Sequence, residues 1–507
     1  MMNHHVLAAI VASIVSLPAF AQAPLFYQLA NGATPTDATT ATGVTTVVGL
    51  EAGQAFLWTP AGGSVLLGPA EGNVRISRDG TTIVADTLGP DLIKRPSYWR
   101  QSTGWVQLPG IGGTSGSSAG SVYGVNDDGT VITGLGWTAS GSGHAFRWDV
   151  STNTSVDLTP PFSMPGSRGN DVNGTGDLVV GWHDSLAGSR YGRRWLNGVM
   201  TTFTYTDPMN VVFNVGEALA TNRSGNVVVG YNVFGIASQG WRWDSSTNVT
   251  TLLANLPGEL SAPLPSAVTD DGTMVVGSNG GSPFTRKAAL WLQGQPVQSL
   301  YTWLLGLGAP IGAFTDLGNP LGMSHDGRVI VGRGALAAAT HPLGWVIEFP
   351  KAGVPFCAGD AFMTDHTTPC PCANTGAQGN GCANSANPNG ANLDTTGIQT
   401  NDDVVLHGTG MPATVACIYL QGDALGDVVF GDGVRCTDGT LLRLRTKVNV
   451  GGASSFPDSV ETVTLSQRGG VTLGSGRRYY QAYYRNAAGA FCPPETFNVT
   501  NGVHIDW

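Results

Sequence analysis

The sequence predicts an all-β protein, in which a seven-bladed β-propeller of four-stranded antiparallel blades is followed by a disulfide-stapled β-sandwich-like domain. A short alternating strand that ends in tryptophan returns about every 48 residues over most of the chain. A tight Asp-Gly turn, or a close variant of it, stands before most of these strands. The chain has 7 cysteines, all after residue 356, which separates a second domain from the repeats.

The composition favours many short strands and tight turns over disorder. Of the 507 residues, 72 are glycine, 12% are charged and 41% are hydrophobic, which leaves enough apolar surface to build cores. The net charge is −10, and the 25 lysines and arginines form no basic run. Binding to a phosphate backbone needs such a run, so the composition argues against a nucleic acid as partner.

The N-terminal segment is predicted to be a signal peptide covering residues 1–21. Its apolar stretch from Val6 to Leu17 is followed by Ala19-Phe20-Ala21, which has the pattern of a cleavage site. The stretch is too short to span a bilayer. We therefore expect a secreted or cell-surface protein, with the periplasm as a further location, and no membrane span in the mature chain.

The repeated strand is typified by HAFRW, residues 144–148, in which successive side chains point to opposite faces. Its tryptophan is predicted to pack between neighbouring blades. The repeat tryptophans are Trp58, Trp99, Trp148, Trp195, Trp243, Trp291 and Trp345.

Each repeat is predicted to be a four-stranded meander. Its Asp-Gly, Ser-Gly or Thr-Gly pair indicates a hairpin, because the tight turn needs a positive φ that glycine adopts freely. A buried run such as VVVG follows, then the tryptophan strand, a short turn and a fourth apolar run. The turn glycines are Gly80, Gly129, Gly176, Gly225, Gly272 and Gly327.

The two ends of the repeat region are expected to close the ring. The last repeat reaches Trp345 without a fourth run, whereas the run Phe26–Leu29 near the mature N-terminus resembles a spare fourth strand. If this run completes the last blade, no free sheet edge is left. The propeller is then predicted over residues 24–349 with seven blades, and six blades is the alternative.

The segments GHAFRW and SHDGRVIVG resemble the HAF repeat of extracellular bacterial proteins, which is named for the tripeptide His144-Ala145-Phe146. The resemblance covers about residues 40 to 347. It implies export and a propeller-like array, and it assigns no catalytic residues.

After a linker at residues 350–356, the C-terminal domain is predicted over residues 357–507. In an exported chain its cysteines favour disulfides over metal binding. Cys417 lies inside a strand-like run and is the candidate free thiol. Local closure suggests the pairs Cys372–Cys382 and Cys357–Cys370, which leaves Cys436–Cys492, although six cysteines allow 15 connectivities. The disulfide candidates are Cys357, Cys370, Cys372, Cys382, Cys436 and Cys492.

This domain resembles a cysteine-containing C-terminal module of secreted bacterial proteins. The likeness rests on the segments CPCAN, GCANS, GDGVRC, YYQAYYR and FNVTNG. It implies no established function. The alternating runs VACIYLQ and LLRLRTKV independently predict a second all-β domain.

The longest and most variable loops are expected on one face of the propeller. Connections between the second and third strands, and those between blades, emerge on the same face, which we call the variable-loop face. Binding residues tend to lie on variable loops of a rigid scaffold. The candidate ligand-binding residues are Trp137, Trp182, Arg190, Tyr191, Tyr231 and Phe234.

The function that these features favour is non-catalytic binding or adhesion, with a carbohydrate or a surface protein as ligand. One alternative is a propeller glycoside hydrolase or lyase, which would need an acidic pair at the mouth of the channel. Another is a structural cell-surface component. No cofactor is expected, although acidic pairs such as Asp127-Asp128, Asp270-Asp271 and Asp402-Asp403 could help to hold a structural Ca²⁺. The sequence does not indicate an oligomeric state.

Overall fold

The structure is a computed structural model that describes residues 23–40, 44–159, 166–233, 238–280, 286–336, 342–360, 365–399, 402–488 and 491–507. The signal peptide predicted at residues 1–21 lies outside these ranges. The chain divides into two compact units, of which one covers residues 23–350 and the other includes residues 351–507. Across the described residues, no helix is both long and apolar enough to cross a membrane.

Within the described part of residues 23–350 there are seven four-stranded antiparallel sheets, which we number in the chain order of the repeats. The first strand of a sheet is the strand that opens its repeat. The N-terminal strand β1 (Leu25–Gln28) belongs to sheet 7. Sheet 1 contains β2 (Thr34–Thr39), β3 (Thr46–Glu51), β4 (Gln54–Thr59) and β5 (Gly63–Pro69). Sheet 2 contains β6 (Glu71–Ile76), β7 (Ile83–Leu88), β8 (Lys94–Arg100) and β9 (Gly104–Gln107). Sheet 3 contains β10 (Gly120–Val125), β11 (Val131–Trp137), β12 (Gly143–Asp149) and β13 (Thr154–Asp157). Sheet 4 contains β14 (Ser167–Val172), β15 (Leu178–Asp184), β16 (Arg190–Leu196) and β17 (Val199–Thr202).

A separate hairpin of β18 (Thr204–Thr206) and β19 (Val212–Asn214) lies between sheets 4 and 5 in the chain. Sheet 5 contains β20 (Ala218–Thr221), β21 (Val227–Tyr231), β22 (Gly240–Asp244) and β23 (Val249–Leu252). Sheet 6 contains β24 (Pro263–Val268), β25 (Met274–Asn279), β26 (Lys287–Leu292) and β27 (Gln298–Ser299). Helix α1 (Leu300–Gly306) follows, and sheet 7 adds β28 (Phe314–Met323), β29 (Val329–Leu336) and β30 (Leu343–Glu348) to β1.

The predicted hairpin turns join the first and second strands of six of these sheets. At Gly80 and Gly129, for example, φ is +74° and +67°, in the region that favours glycine. The preceding aspartate fixes the turn, since Asp79 Oδ1 accepts hydrogen bonds from the Thr81 backbone N–H at 3.0 Å and from the Thr81 hydroxyl at 2.9 Å. The repeated motif therefore encodes a repeated turn.

The repeat tryptophans contribute to cores that join each sheet to the one before it. Trp148 packs with Val84 of sheet 2, and Trp195 packs with Val131 of sheet 3. Trp58, Trp99, Trp243 and Trp291 occupy corresponding clusters. Trp345 is fully buried and donates its indole N–H to the Leu317 carbonyl at 3.0 Å. Each sheet thus buries its faces against its neighbours, as propeller blades do.

The N-terminal strand pairs with the last strand of the repeat region, as the sequence predicts. Strand β1 runs antiparallel to β30, with Tyr27 opposite Val346. The Tyr27 ring packs edge-on against Trp58 of sheet 1, with ring centroids 5.1 Å apart. The first and last parts of this unit are therefore held together by strand pairing and by a shared core.

Two elements of this unit were not expected from the sequence. The β18–β19 hairpin is an insertion in a connection between sheets, with Tyr205 and Phe213 stacked across it. Helix α1 directly follows the two-residue strand β27, and its N-cap Ser299 accepts a hydrogen bond from the Thr302 N–H at 3.3 Å. Both elements are formed by residues between the repeats, whose sequences do not belong to the repeat pattern.

The second unit is also built from strands. Its six-stranded sheet contains β31 (Gly353–Phe356), β34 (Ala416–Gly422), β37 (Leu442–Val448), β39 (Arg477–Arg485), β40 (Phe497–Val499) and β41 (Gly502–Asp506). Smaller sheets contain β32 (Asn392–Thr396), β33 (Val405–Thr409) and β38 (Ser454–Phe456), and β35 (Ala424–Phe430) and β36 (Gly433–Asp438). Helix α2 covers Leu465–Gly469. One core contains Leu393 and Phe456 of a three-stranded sheet together with Tyr419 and Tyr480 of the six-stranded sheet. Residues 353–356, expected as part of a linker, instead form β31, which pairs with β41.

Six cysteines of this unit form disulfides, and Cys417 is free and buried. The bonds are Cys357–Cys436, Cys370–Cys382 and Cys372–Cys492. The connectivity suggested by local closure was wrong in all three pairs. The reason is that Cys357 follows edge strand β31 and meets β36 through the fold, at a sequence separation of 79 residues.

Candidate functional site

The first strands of the seven sheets surround one small cavity. Its volume is about 70 Å³. Each sheet contributes to its wall at equivalent positions of its first strand. Among the lining residues are Asp37, Arg75, Gly124, Asp171, Ala220, Ala267 and Gly322. This common wall makes the first strand the innermost strand of every sheet.

Two carboxylates in this cavity join neighbouring sheets. Asp37 accepts hydrogen bonds from the N–H of Ala38 in its own strand at 2.9 Å and from the N–H of Ile76 in sheet 2 at 3.1 Å. Asp171 repeats this geometry, with Val172 in its own strand and Thr221 in sheet 5, both at 2.9 Å. Because no β-ladder connects one sheet to the next, these bonds satisfy backbone donors that would otherwise face the cavity.

A third carboxylate plays the same part beside the cavity. Asp86 of β7 is fully buried and accepts a hydrogen bond from the N–H of Val122 in sheet 3 at 2.9 Å. Burial raises the pKa of Asp86 to about 6, although the Val122 N–H and Lys94, at 3.7 Å, lower it. Burial likewise raises the pKa of Asp171 to about 6 and raises that of Asp37.

These carboxylates bear directly on the glycosidase alternative. Glu71 stands opposite Asp86 in the pairing of β6 and β7, and so forms an acidic pair with it. The Asp86 side chain is 1% exposed, however, and is covered by Gly72. A general acid must reach the scissile oxygen. Asp86 is therefore placed to join two sheets rather than to contact a substrate.

On the hairpin face, charged residues close to the turns form ion pairs between sheets that are not consecutive in the chain. Asp127 pairs with Arg223 at 2.5 Å, and Asp270 pairs with Arg78 and lies 3.3 Å from His325. The adjacent carboxylates hold the turns themselves, as Asp128 does for Thr130 and Asp271 for Thr273.

Residues of the third acidic pair, Asp402-Asp403, also have partners in the described chain. Asp402 accepts from the Thr464 hydroxyl at 2.9 Å, and Asp403 accepts from the Ile398 N–H at 2.5 Å. In the described ranges no group of three or more histidine, cysteine, aspartate or glutamate side chains is arranged to hold a metal ion. The acidic pairs therefore have protein partners in turns, ion pairs and side-chain hydrogen bonds, and a structural Ca²⁺ stays a prediction.

The variable-loop face carries a dense cluster of charged and aromatic side chains from sheets 3, 4 and 5. Arg168, at the start of β14, forms an ion pair with Glu217, which directly precedes β20. The Arg168 guanidinium also lies over the Tyr123 ring, 4.2 Å from its centroid, and donates to the Tyr123 hydroxyl at 3.2 Å. Asn170 donates to Glu217 Oε1 at 2.9 Å. Tyr123 and Asn170 thereby hold the Arg168–Glu217 pair in a fixed position.

A second arginine completes this cluster and is its most exposed charged group. Arg190 lies opposite Asp184 in the pairing of β16 with β15, and its guanidinium stacks over the Trp182 ring, 3.7 Å from the centroid. It lies 3.4 Å from both Asp184 Oδ1 and Glu217 Oε2. Its side chain is 45% exposed. We call Tyr123, Arg168, Trp182, Asp184, Arg190 and Glu217 the Arg190 cluster.

The structure brings some of the sequence-predicted residues together and separates others. Trp182 and Arg190 are in direct contact, but the indole is buried beneath the guanidinium and offers no free face for a sugar ring. Tyr231 adjoins the cluster, since its backbone N–H donates to the Glu217 carbonyl at 2.9 Å. Tyr191 faces away, opposite His183, and Arg193 lies 5.8 Å from its ring.

Two further candidates do not add to the cluster. Trp137 ends β11 and exchanges backbone hydrogen bonds with Gly113 and Ala119 instead. Phe234 lies outside the described residues.

Four residues of the cluster were missed from the sequence, namely Tyr123, Arg168, Asp184 and Glu217. Asp184 is the last residue of β15. Tyr123 and Arg168 lie in the first strands of their sheets, and Glu217 immediately precedes one. A usable signal was present, because the beginnings of the innermost strands converge around the channel mouth and differ between repeats. The prediction from sequence instead favoured the long loops after the second strand.

No protein-family model matches the chain, and no curated protein does. Similar solved structures include TolB from Acinetobacter baumannii, with 13% identity, a TM-score of 0.34, and coverage of 63% of this chain and 63% of that chain, which is less than two thirds of its length. The β-propeller domain of the Trilobed protease from Pyrococcus furiosus has 12% identity, a TM-score of 0.41, and coverage of 63% and 97%. Oligogalacturonate lyase from Vibrio parahaemolyticus has 11% identity, a TM-score of 0.42, and coverage of 64% and 93%. These likenesses concern the fold and carry no information about activity.

Proposed function

We propose that this chain is an exported, non-catalytic carbohydrate-binding protein. Its ligand site is the Arg190 cluster, on the variable-loop face of a closed seven-bladed propeller. The observation that carries the proposal is the position of Arg190, which is stacked on Trp182 between two carboxylates with 45% of its side chain exposed.

The seven-bladed ring is supported by contacts that run from sheet to sheet. All seven sheets that the structure describes contribute a first strand to one cavity wall. Sheets 7 and 1 share a core, and Thr40 donates to Asp326 across their junction at 2.6 Å. Each four-stranded sheet then corresponds to one blade, with β1 completing the seventh.

The cluster has the chemistry that sugar recognition needs. Sugar hydroxyls both donate and accept hydrogen bonds, so their sites combine fixed carboxylates with fixed donors on a rigid scaffold. Glu217 and Asp184 supply acceptors, and Arg190 supplies donors. Tyr231 is half-buried, and its backbone N–H donates a hydrogen bond to the Glu217 carbonyl. In this proposal its ring stacks on the sugar.

We favour a binding role over the hydrolase or lyase alternative. The carboxyls with pKa raised to about 6, Asp86 and Asp171, already accept hydrogen bonds from backbone N–H groups of the next sheet. Export is supported by the disulfides of the second unit, which persist in oxidising compartments. It is also supported by the resemblance of the repeat to that of HAF-repeat proteins.

A glycan array tests the proposal, with the chain from Gln22 onward as analyte and with Ca²⁺ either added or chelated. We expect binding to one group of glycans and its loss in Arg190→Ala, because this change removes the exposed donor and leaves the Arg168–Glu217 pair in place. Trp137→Ala is the matched control, since it removes an aromatic residue of the same face outside the cluster.

Absence of binding to all glycans, both with and without Ca²⁺, would overturn the carbohydrate proposal and direct the search to protein partners. Equal losses in Arg190→Ala and Trp137→Ala would place the site elsewhere on this face. Thermal unfolding of each variant distinguishes either result from a loss of fold.

A further inference from the structure

We infer that the ligand of the Arg190 cluster is a neutral saccharide with hydroxyls on adjacent ring carbons, and not an acidic polysaccharide. The inference rests on the proposed function and specifies its ligand class. Three features of the cluster support this inference: the order of its charges, the remaining hydrogen-bonding capacity of the Arg190 donors, and the fixed plane of the Arg190 guanidinium.

The charges of the cluster alternate along a short row. Asp184 and Glu217 flank Arg190, each with one oxygen 3.4 Å from a guanidinium nitrogen. One cation therefore stands between two anions. Arg168 does not change this order, because it pairs with the other oxygen of Glu217 and with Tyr123 and Asn170.

Arg190 retains hydrogen-bonding capacity for a ligand. A guanidinium carries five N–H donors, and the two contacts of Arg190 are at the long end of hydrogen-bond geometry. The corresponding bonds of Arg168 are shorter, including 2.6 Å to Asn170 Oδ1. An incoming hydroxyl oxygen can therefore improve the hydrogen bonding of Arg190 at little cost to its present contacts.

Stacking on Trp182 fixes the plane of the Arg190 guanidinium. The 3.7 Å separation is a close cation–π contact, and Trp182 itself is buried. A ligand therefore meets donors in a preset orientation and pays little to order them.

Neighbouring hydroxyls match this row. Each hydroxyl can accept from the guanidinium and donate to the carboxylate beside it, so two of them satisfy Asp184, Arg190 and Glu217 together. A ligand carboxylate has no proton to donate at neutral pH and would be repelled by both flanking anions. The net charge of −10 for the whole chain adds long-range repulsion of a polyanion.

Affinity electrophoresis of the full chain from Gln22 tests the ligand class, at about 150 mM salt so that long-range charge effects are largely screened. The neutral probes are mannan, galactan and dextran, and the acidic probes are polygalacturonate and alginate. We expect retardation by at least one neutral polysaccharide and by neither acidic one. In Asp184→Asn and Glu217→Gln, the association constant for that neutral probe should fall about ten-fold or more.

Glu71→Gln is the matched control, because it removes the same charge from an exposed glutamate at the start of β6. It should leave the association constant unchanged within about two-fold. If Glu217→Gln fails to fold, Asp184→Asn still tests the inference, because it leaves the Arg168–Glu217 ion pair intact.

The outcomes separate this inference from the proposed function. Retardation by the acidic polysaccharides alone, or tighter binding in Asp184→Asn, would overturn the ligand class while leaving a carbohydrate-binding function intact. Neutral binding that is insensitive to both cluster variants would also overturn it, by placing the ligand outside the row. If none of the five probes retards the protein and no glycan on the array binds it, the proposed function itself would be overturned.

Discussion

At the scale of single residues, aspartates take the place of the β-ladder that is missing between sheets. Asp37, Asp86 and Asp171 each accept an N–H from the next sheet, and each has a raised pKa because burial disfavours the charged form. The hydrogen bonds from backbone N–H groups lower these pKa values, but by less than burial raises them. These carboxyls therefore connect the stability of the propeller to pH.

The first prediction concerns Asp171→Asn. The pKa of Asp171 is about 6 in the native protein and 3.8 in a free side chain, so the native protein binds more protons between about pH 4 and 6. The free energy of unfolding should therefore rise as pH falls through this window and decline as pH rises. The substitution should remove up to about 3 kcal/mol of that pH-dependent change in the free energy of unfolding. The part of the change that comes from Asp86 should remain. Chemical unfolding at several pH values measures both.

Asp149→Asn serves as the control, because the Ser151 hydroxyl and backbone N–H groups lower the pKa of Asp149. A lowered pKa contributes stability above the unfolded value that disappears as pH falls through the native one, so this variant should alter the profile only below about pH 4. Parallel profiles for the parent and Asp171→Asn between pH 4 and 6 would contradict the assignment.

At the scale of elements, the hairpin turn combines two demands on its glycine. Gly129 has φ of +67°, and a Cβ placed there would overlap the hydroxyl of Thr82, which directly precedes β7 of sheet 2. Gly53, in the turn between β3 and β4, has φ of +74° but no atom within 4 Å of such a Cβ. A side chain at either glycine would therefore strain the backbone, but only a side chain at Gly129 would also clash with the neighbouring sheet.

The second prediction compares Gly129→Ala with Gly53→Ala. Gly53→Ala should lower the free energy of unfolding by about 1–2 kcal/mol, the cost of a left-handed conformation with a Cβ. Gly129→Ala should lower it by a further 1–3 kcal/mol or so, because Thr82 must also shift. Urea denaturation of both variants measures the difference. Equal losses would mean that the hairpins do not pack against the neighbouring sheet as described.

At the scale of the whole molecule, one short strand connects the two ends of the repeat region. Strand β1 is covalently remote from β30, with which it pairs, and Phe26 packs edge-on against Phe314 at 5.3 Å. In the other six sheets of this unit, the outer strand comes from the chain that directly follows the third strand, as the two-residue β27 does in sheet 6. Loss of β1 would expose an edge of β30 and release sheet 7 from sheet 1.

The third prediction is that the double substitution Phe26→Gly and Tyr27→Gly separates sheet 7 from sheet 1, which would open the proposed ring. Hydrogen exchange should lose protection in β30 and also in sheet 1, because both share the core that contains Trp58. The matched control is Val65→Gly with Leu66→Gly in β5, an outer strand joined to its own sheet by a short turn. There the loss should remain within β5 and β4. Protection that stays intact in sheet 1 after the first double substitution would argue against closure by β1.

The amount that could be predicted differs between the fold and the site. The hairpin at Gly80 and the packing of Trp195 recur at equivalent positions in other repeats, so local chemistry seen several times over was enough to predict them. The run at residues 26–29 was recognisable because the last repeat lacked a fourth strand. The Arg168–Glu217 pair had no such signal, since its partners are 49 residues apart in different sheets.

The sequence alone determined the all-β class, the repeating four-stranded unit, the turn glycines and the division before the cysteine-containing part, because each depends on local propensity and periodicity. The tertiary structure decided which side chains meet. It buried Trp182 beneath Arg190, drew Glu217 to both arginines, linked Cys357 to Cys436 and inserted helix α1 between sheets 6 and 7. These contacts depend on how separate sheets are arranged around a common cavity, and distances across that arrangement are not encoded in any one repeat.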